Sequence, residues 1–237
     1  MSAASEDSAA RDLTALADGS PLYDADSLGE PTTRPDQLTA TAKRLLDVLV
    51  ATLLLALLLP LLLVIAFTIK VGDGGPVLFW QERIGRSGRR FWFPKFRSMC
   101  VGGERIHHLM LHQNDHGDSI TFKMRNDPRI TRVGRLLRIL SLDELPQLYN
   151  VVKGDMSLVG PRPPLPDEVA RYSSLELRRL EVKPGLTCLW QVSGRSLIPF
   201  EQQVALDIEY IERQSLRLDL ELLVRTIPAV LSCKGAF

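Results

Sequence analysis

Residues 48–69 read VLVATLLLALLLPLLLVIAFTI and contain no charged side chain. A run of this length can cross a bilayer as one helix, which takes about 20 apolar residues for a hydrocarbon core about 30 Å thick. Two features redirect that reading. Pro60 falls near the middle; proline lacks an N–H and clashes with the preceding turn, so a kink or break is predicted there. Both flanks are basic, with Lys43 and Arg44 before the run and Lys70, Arg83, Arg86, Arg89 and Arg90 after it. Basic flanks resist translocation. A helix that enters, breaks at Pro60 and returns to the same face satisfies both observations, each arm reaching about 15–18 Å at 1.5 Å per residue. The backbone groups freed at Pro60 then need partners inside the membrane. The expectation is a re-entrant helix-break-helix over residues 41–71.

Working outward, residues 1–40 are rich in Ser, Ala, Asp, Thr and Pro and lack an apolar period, which predicts a flexible tail. Its acidic start, with no early apolar run, does not read as a signal peptide. Over the whole chain Lys and Arg (29) nearly balance Asp and Glu (28), which argues against bulk nucleic-acid binding. The cysteines, Cys100, Cys188 and Cys233, have no metal spacing and read as reduced, buried small hydrophobes.

Residues 72–237 predict an α+β, mostly helical domain, expected to be cytosolic. Residues 77–81 and 91–96 read as a short β-hairpin around turn residues 83–88. Helices are predicted at 102–111, 130–139, 145–152, 169–180, 200–214 and 216–231, with loops at 114–118 and 161–166. The apolar face of the last helix suits either a membrane surface or the core.

The chemistry centres on Ser141-Leu142-Asp143-Glu144. Ser followed three residues later by Glu is a capping-box pattern; alternatively Pro146 opens the helix. Either way both acids stand at a helix N-terminus, where they would at least offset the macrodipole. Arg132, Arg135, Arg138, Lys153 and Arg162 are close in sequence. Carboxylates among so many cations are expected to be ionised. Adjacent residues on a helix do not share a face, so the two acids should have different tasks. An Asp carboxylate can attack phosphorus. A carboxylate can also hold Mg2+ together with substrate phosphates.

These residues sit in a wider pattern. Lys43-Arg44-Leu45-Leu46-Asp47, Gly75-Pro76-Val77, Gln81-Glu82-Arg83-Ile84-Gly85 and Lys95-Phe96-Arg97-Ser98-Met99 resemble the bacterial sugar transferase family. So do Ser141 through Gln147, Gly154 through Pro163, Lys183-Pro184-Gly185-Leu186-Thr187 and Trp190 through Arg195. The likeness, to the monotopic polyprenyl-phosphate phosphoglycosyltransferases of the short exopolysaccharide-priming type, runs from about Lys43 to Phe237. It implies transfer of a sugar 1-phosphate from a UDP-sugar to undecaprenyl phosphate, release of UMP, Mg2+, and a covalent phosphosugar on the Asp matching Asp143. Glu144 matches a metal ligand. Arg138 and Arg162 match phosphate-binding arginines. Lys43 and Arg44 match an interfacial basic pair, Asp47 the acid beside it, and Pro60 the helix break, with Leu59 where the family has Ser. The implied setting is a bacterial inner membrane with a cytoplasmic catalytic domain. The implied partners are inner-membrane lipids, downstream glycosyltransferases and a second copy in a homodimer. The sugar is expected to be galactose or glucose.

Other residues leave alternatives open. Lys95 and Arg97 suit either phosphate binding or a solvated strand face. His107, His108, His112 and His116 lack the acid of a zinc motif. Trp190 reads as a core or interface anchor in preference to a base-stacking platform. Gly194-Arg195 suits a diphosphate contact or a turn. The alternative function is a non-catalytic membrane scaffold of polysaccharide assembly, which would need no Asp-Glu pair.

Overall fold

The computed structural model describes residues 37–103, 120, 124, 127–233 and 235. The expected tail, as far as residue 36, the loop at 114–118, the four histidines and most of the helix expected at 102–111 lie outside the described residues.

Helix α1 runs from Gln37 to Asp73 and includes Pro60. It therefore starts inside the stretch expected to be tail. The expected helix-break-helix is instead one continuous helix. A single proline removes one N–H from the ladder, and the apolar turns on either side carry the helix past it. The helix is about 55 Å long at 1.5 Å per residue.

Two patches hold α1 to the rest of the chain. Toward its start, Ala51 with Val50, Leu54 and Leu55 joins a core of Phe91, Phe93, Leu148, Val151, Met156, Leu158, Val159, Tyr210, Ile211 and Leu222. Toward its end, Ile65 and Ile69 with Leu62 and Ala66 pack on Phe96, Leu137, Val77 and Leu78. Each large apolar side chain buried this way contributes about 1.5–3 kcal/mol. Between the patches, Leu57, Leu59 and Leu61 are exposed.

The polar residues before the apolar run also dock the helix. Lys43 Nζ lies 2.5 Å from Asp219 Oδ2. Arg44 donates to the carbonyls of Val151 (2.6 Å) and Val152 (2.8 Å). Asp47 Oδ1 accepts from the Leu158 N–H at 3.0 Å. The carbonyls bound by Arg44 are near the end of a helix and lack intrahelical partners, so a guanidinium suits them by hydrogen bonding and by charge.

Strands β1 (Leu78–Ile84) and β2 (Arg90–Phe96) form the expected antiparallel hairpin, pairing Leu78 with Phe96 and Ile84 with Arg90. The first strand extends past Gln81 to Ile84, and the turn is correspondingly tighter. Helix α2 (Arg132–Ile139) leads through a 3-10 segment (Leu142–Gln147) into α3 (Leu148–Lys153), which ends at Gly154 with φ +103°.

Strands β3 (Ser157–Val159) and β4 (Gly185–Thr187) pair in parallel and were not expected. Three residues are too few for a period to show. Their approach depends on glycine: a Cβ on Gly185 would lie 2.0 Å from the Gly160 nitrogen. The helix expected at 169–180 is broken into α4 (Pro166–Val169), α5 (Ser174–Leu177) and a 3-10 turn (Arg178–Leu180). The cause is local: Glu176 accepts from the Ser173 N–H, starting a new helix there. Short α6 (Leu189–Ser193) precedes α7 (Phe200–Glu212) and α8 (Leu216–Leu231). Helix α8 buries Asp219 and Leu222 and exposes Leu220, Val224, Ile227 and Leu231 on its other side. All three cysteines are free; Cys188 is buried as expected, but Cys100 is exposed and Cys233 half-buried.

Candidate active site

The site is built where α2, the 3-10 segment and the hairpin meet. Thr131 caps α2 by accepting from the Gly134 N–H at 2.9 Å. Gly134 lets α2 cross the chain at Ser98, because a Cβ there would fall 1.9 Å from the Ser98 carbonyl oxygen. That crossing brings Arg138, in the last turn, to donate from Nε to Ser98 Oγ at 2.8 Å.

Ser141 then takes a left-handed conformation (φ +54°) and turns the chain, so that Asp143 and Glu144 occupy the first turn of the 3-10 segment. The expected capping box does not form. Ser141 Oγ instead accepts from Arg195 Nη2 at 3.1 Å, and Glu144 Oε1 accepts from Arg162 Nη1 at 2.9 Å. A left-handed Ser141 aims neither side chain at the N–H groups of a following α-helix. Arg195 thus braces the turn that carries the acids, a role beyond either reading of Gly194-Arg195.

The two acids have different surroundings. Glu144 is engaged by Arg162. Asp143 is buried, and its carboxylate makes no hydrogen bond among the described residues. Burial, then the adjacent Glu144, pushes the Asp143 carboxyl up to about 6, against the pull of Arg138, Lys95 and Arg162. Desolvation thus outweighs the surrounding cations, and a carboxyl at about 6 remains mostly ionised at neutral pH. Lys95 shows the mirror effect. Burial, then Arg83, Arg138 and Arg162, pushes its ammonium down to about 7, with Asp143 opposing. Lys95 Nζ makes no hydrogen bond among the described residues and stands 5.1 Å from the Phe79 ring centroid.

A cavity of about 620 Å3 opens beside this cluster. Lys95, Arg97, Arg138 and Arg162 all line it, together with Arg83, Arg129, Arg179, Glu168 and Trp190. Asp143 and Glu144 are not lining residues, and their charges couple to it through Lys95, Arg138 and Arg162. Trp190 is both core and cavity wall.

The lining cations are not equivalent. Arg129 Nη2 meets Asp127 at 2.6 Å, and Arg179 Nε meets Asp207 at 2.9 Å. Burial pushes the Asp127 carboxyl up, but the Arg129 hydrogen bonds and charge outweigh this and hold it below its usual value. Arg97 Nε donates to the Pro76 carbonyl at 2.6 Å, which fixes the hairpin entrance. Lys43, Arg44 and Asp47 are held in the helix-docking contacts described above and do not line the cavity. Pro60 is exposed in the middle of α1.

Arg83, Glu168 and Arg179 were missed as site residues. For Arg83 a signal existed: the inward face of the hairpin reads Phe79, Gln81, Arg83, a polar break in an otherwise apolar alternation.

Among the described residues no three His, Cys, Asp or Glu side chains gather as a metal site. Mg2+ commonly needs only one or two carboxylates when phosphates and water complete its shell, and Glu144 can supply one.

The family model for bacterial sugar transferases matches residues 38–233. The galactosyl transferase CpsE of Streptococcus agalactiae serotype III (strain NEM316) is 51% identical over 166 residues, 69% of this chain and 36% of that protein. The exopolysaccharide production protein ExoY of Rhizobium meliloti (strain 1021) is 44% identical over 199 residues, 83% of this chain and 88% of ExoY. The UDP-glucose:undecaprenyl-phosphate glucose-1-phosphate transferase of Caulobacter vibrioides is 42% identical over 203 residues, 82% of this chain and 72% of that enzyme. The chain thus spans about a third of CpsE but most of ExoY.

Proposed function

The chain belongs to the bacterial sugar transferase family, and on that premise we propose that it transfers a hexose 1-phosphate from a UDP-sugar to undecaprenyl phosphate, releasing UMP and priming exopolysaccharide synthesis. The observation that carries this reading is the Asp143 carboxylate: buried, without a hydrogen bond among the described residues, and coupled to Lys95, Arg138 and Arg162. A carboxylate stripped of donors is a better nucleophile than a solvated one, and cations around it can gather a diphosphate.

In the first half of the reaction an Asp143 oxygen bonds to the phosphorus bearing the sugar, and the bond to the bridging oxygen breaks, its electron pair leaving on UMP. In the second half a phosphate oxygen of the lipid bonds to that phosphorus, and the Asp143 carboxylate is restored. The covalent stage lets one site meet a soluble donor and a membrane-bound acceptor in turn. Glu144 is the residue that would hold Mg2+ with the donor phosphates, and the ion when bound would supply charge neutralisation of the diphosphate. Glucose or galactose is the proposed sugar, as in the names of relatives that carry a glucose or a galactose group.

The membrane reading is a further part of the proposal. The domain packs on Val50, Ala51, Leu54 and Leu55 and again on Leu62, Ile65, Ala66 and Ile69, while Leu53, Leu57, Leu59, Leu63 and Phe67 are exposed; that apolar face supports entry into the bilayer with both flanks of the helix on the domain's side. The proposed setting is the bacterial inner membrane, with the domain in the cytoplasm.

The test is a single-turnover experiment. Protein in nanodiscs is mixed with UDP-glucose or UDP-galactose, without acceptor. One UMP per site and a hexose-phosphate adduct on the Asp143 peptide are expected. Acceptor-dependent turnover with no adduct would overturn the covalent step.

A further inference from the structure

The buried cations Arg129 and Arg179 are matched by Asp127 and Asp207, and half-buried Lys43 by buried Asp219. Arg83 does not follow the pattern. Its side chain is buried in the cavity wall, and no carboxylate lies within ion-pair distance among the described residues. Its Nη1 donates to the Pro163 carbonyl at 2.9 Å and its Nη2 to Gln81 Oε1 at 2.8 Å. The guanidinium carbon stands 5.2 Å from the Phe93 ring centroid, and Nε is buried without a partner. Lys95, on the same inward face of the hairpin, also has no acid in contact. A buried cation left without a counter-charge costs several kcal/mol, a cost an anionic ligand would offset.

We propose that Arg83 is a phosphate-binding residue: with Lys95 it seats the phosphate that departs with the nucleotide, and later the phosphate of the lipid acceptor. This rests on the reading of Asp143 as nucleophile. Arg83 Nη1 holds the carbonyl of Pro163, the residue after Arg162, and Arg162 Nη1 holds Glu144, the residue after Asp143. On the inward face of the hairpin Lys95 pairs with Phe79, and Arg83 lies four residues beyond Phe79 on the same strand. Arg83 therefore stands one cation further from the nucleophile than Arg162. The phosphorus under attack lies at Asp143, so the neighbouring phosphate of the donor extends toward Arg83. Phosphoryl transfer runs with the attacking and leaving oxygens roughly in line. When Asp143 is displaced, the incoming phosphate oxygen must approach from the side the nucleotide left. The two phosphates use one seat in succession.

The experiment compares UMP and uridine binding to the full chain in nanodiscs without acceptor, for wild type, Arg83→Gln and Arg83→Lys. Arg83→Gln should weaken UMP binding at least tenfold and leave uridine binding unchanged, with Arg83→Lys in between. In turnover, UMP should compete with undecaprenyl phosphate, and Arg83→Gln should raise its inhibition constant at least tenfold. Arg83 also holds the Pro163 carbonyl, so uridine serves as the internal control. Equal loss of UMP and uridine binding would make Arg83 structural and overturn the inference. Unchanged UMP binding in Arg83→Gln would also overturn it, as would UMP inhibition that is not competitive with the lipid. A wild-type protein that neither binds nor releases UMP would overturn the underlying function instead.

Discussion

Arg162 Nη1 donates to Glu144 Oε1 at 2.9 Å, while Asp143, the next residue back, has no such partner among the described residues. One acid of the pair is neutralised by a fixed guanidinium and the other is left available. That asymmetry separates the roles proposed for them and makes each testable.

Asp143→Asn keeps the shape of the side chain and removes the nucleophilic charge. Transfer and UMP release are expected to fall by about 10³-fold or more, a loss in kcat. Melting temperature and membrane association should be retained, because the buried carboxylate has no ion-pair partner among the described residues. Normal turnover by this variant, read as UMP release, would remove Asp143 from the mechanism.

Glu144→Gln should act on metal dependence. The Mg2+ concentration for half-maximal activity is expected to rise about tenfold, and a chelator should abolish wild-type activity reversibly. A Mg2+ titration of both proteins reads this directly. An identical titration would assign Glu144 to positioning Arg162 only.

Lys95 predicts a conflict between stability and binding. Its folded-state pKa is depressed to about 7 from an ordinary value of 10.5. The charged form is therefore disfavoured in the folded protein; stability from this group is present above 10.5 and is lost as pH falls through 7. Lys95→Met should stabilise the ligand-free protein at pH 6, on the order of 1–3 kcal/mol, discounted because the side chain is partly exposed. The same variant should lose UMP affinity. In wild type, KM for the donor should rise as pH climbs through about 7. Chemical denaturation at pH 6 and pH 9 checks the stability sign.

Lys43 ties the start of α1 to α8 through Asp219, whose side chain is 1% exposed. Lys43→Met leaves that acid buried without its cation, an expected loss of about 3–5 kcal/mol. Adding Asp219→Asn should recover part of it. A double-mutant cycle by urea denaturation in detergent gives the coupling, and additive single effects would refute the pairing.

The membrane proposal predicts one-sided labelling. In a cysteine-free background, Leu38→Cys and Gly72→Cys should both react with an impermeant maleimide in inside-out vesicles and resist it in right-side-out ones. Opposite behaviour of the two positions would mean that α1 crosses the bilayer.

Much of this was legible in the sequence because it depends on local signals. The charge-free run at 48–69, the hairpin alternation, the last two helices and the Asp143-Glu144 pair among arginines are each set by composition or by residues a few positions apart. Pro60 shows the limit of such signals. A proline predicts a break, but the apolar turns on both sides keep α1 continuous to Asp73. Likewise β3 and β4 lie 28 residues apart by first residue and are three residues each, so only their packing through Gly160 and Gly185 reveals them.

The sequence by itself determined which groups are present: an apolar run with basic flanks, two adjacent acids and a set of cations close to them in sequence. The tertiary structure decided which of those charges are already matched. Lys43, Arg129 and Arg179 have their counter-charges built in, whereas Arg83 and Lys95 line the cavity without an ion-pair partner among the described residues. Ion pairing and desolvation depend on distances between residues far apart in the chain, and only folding fixes those distances.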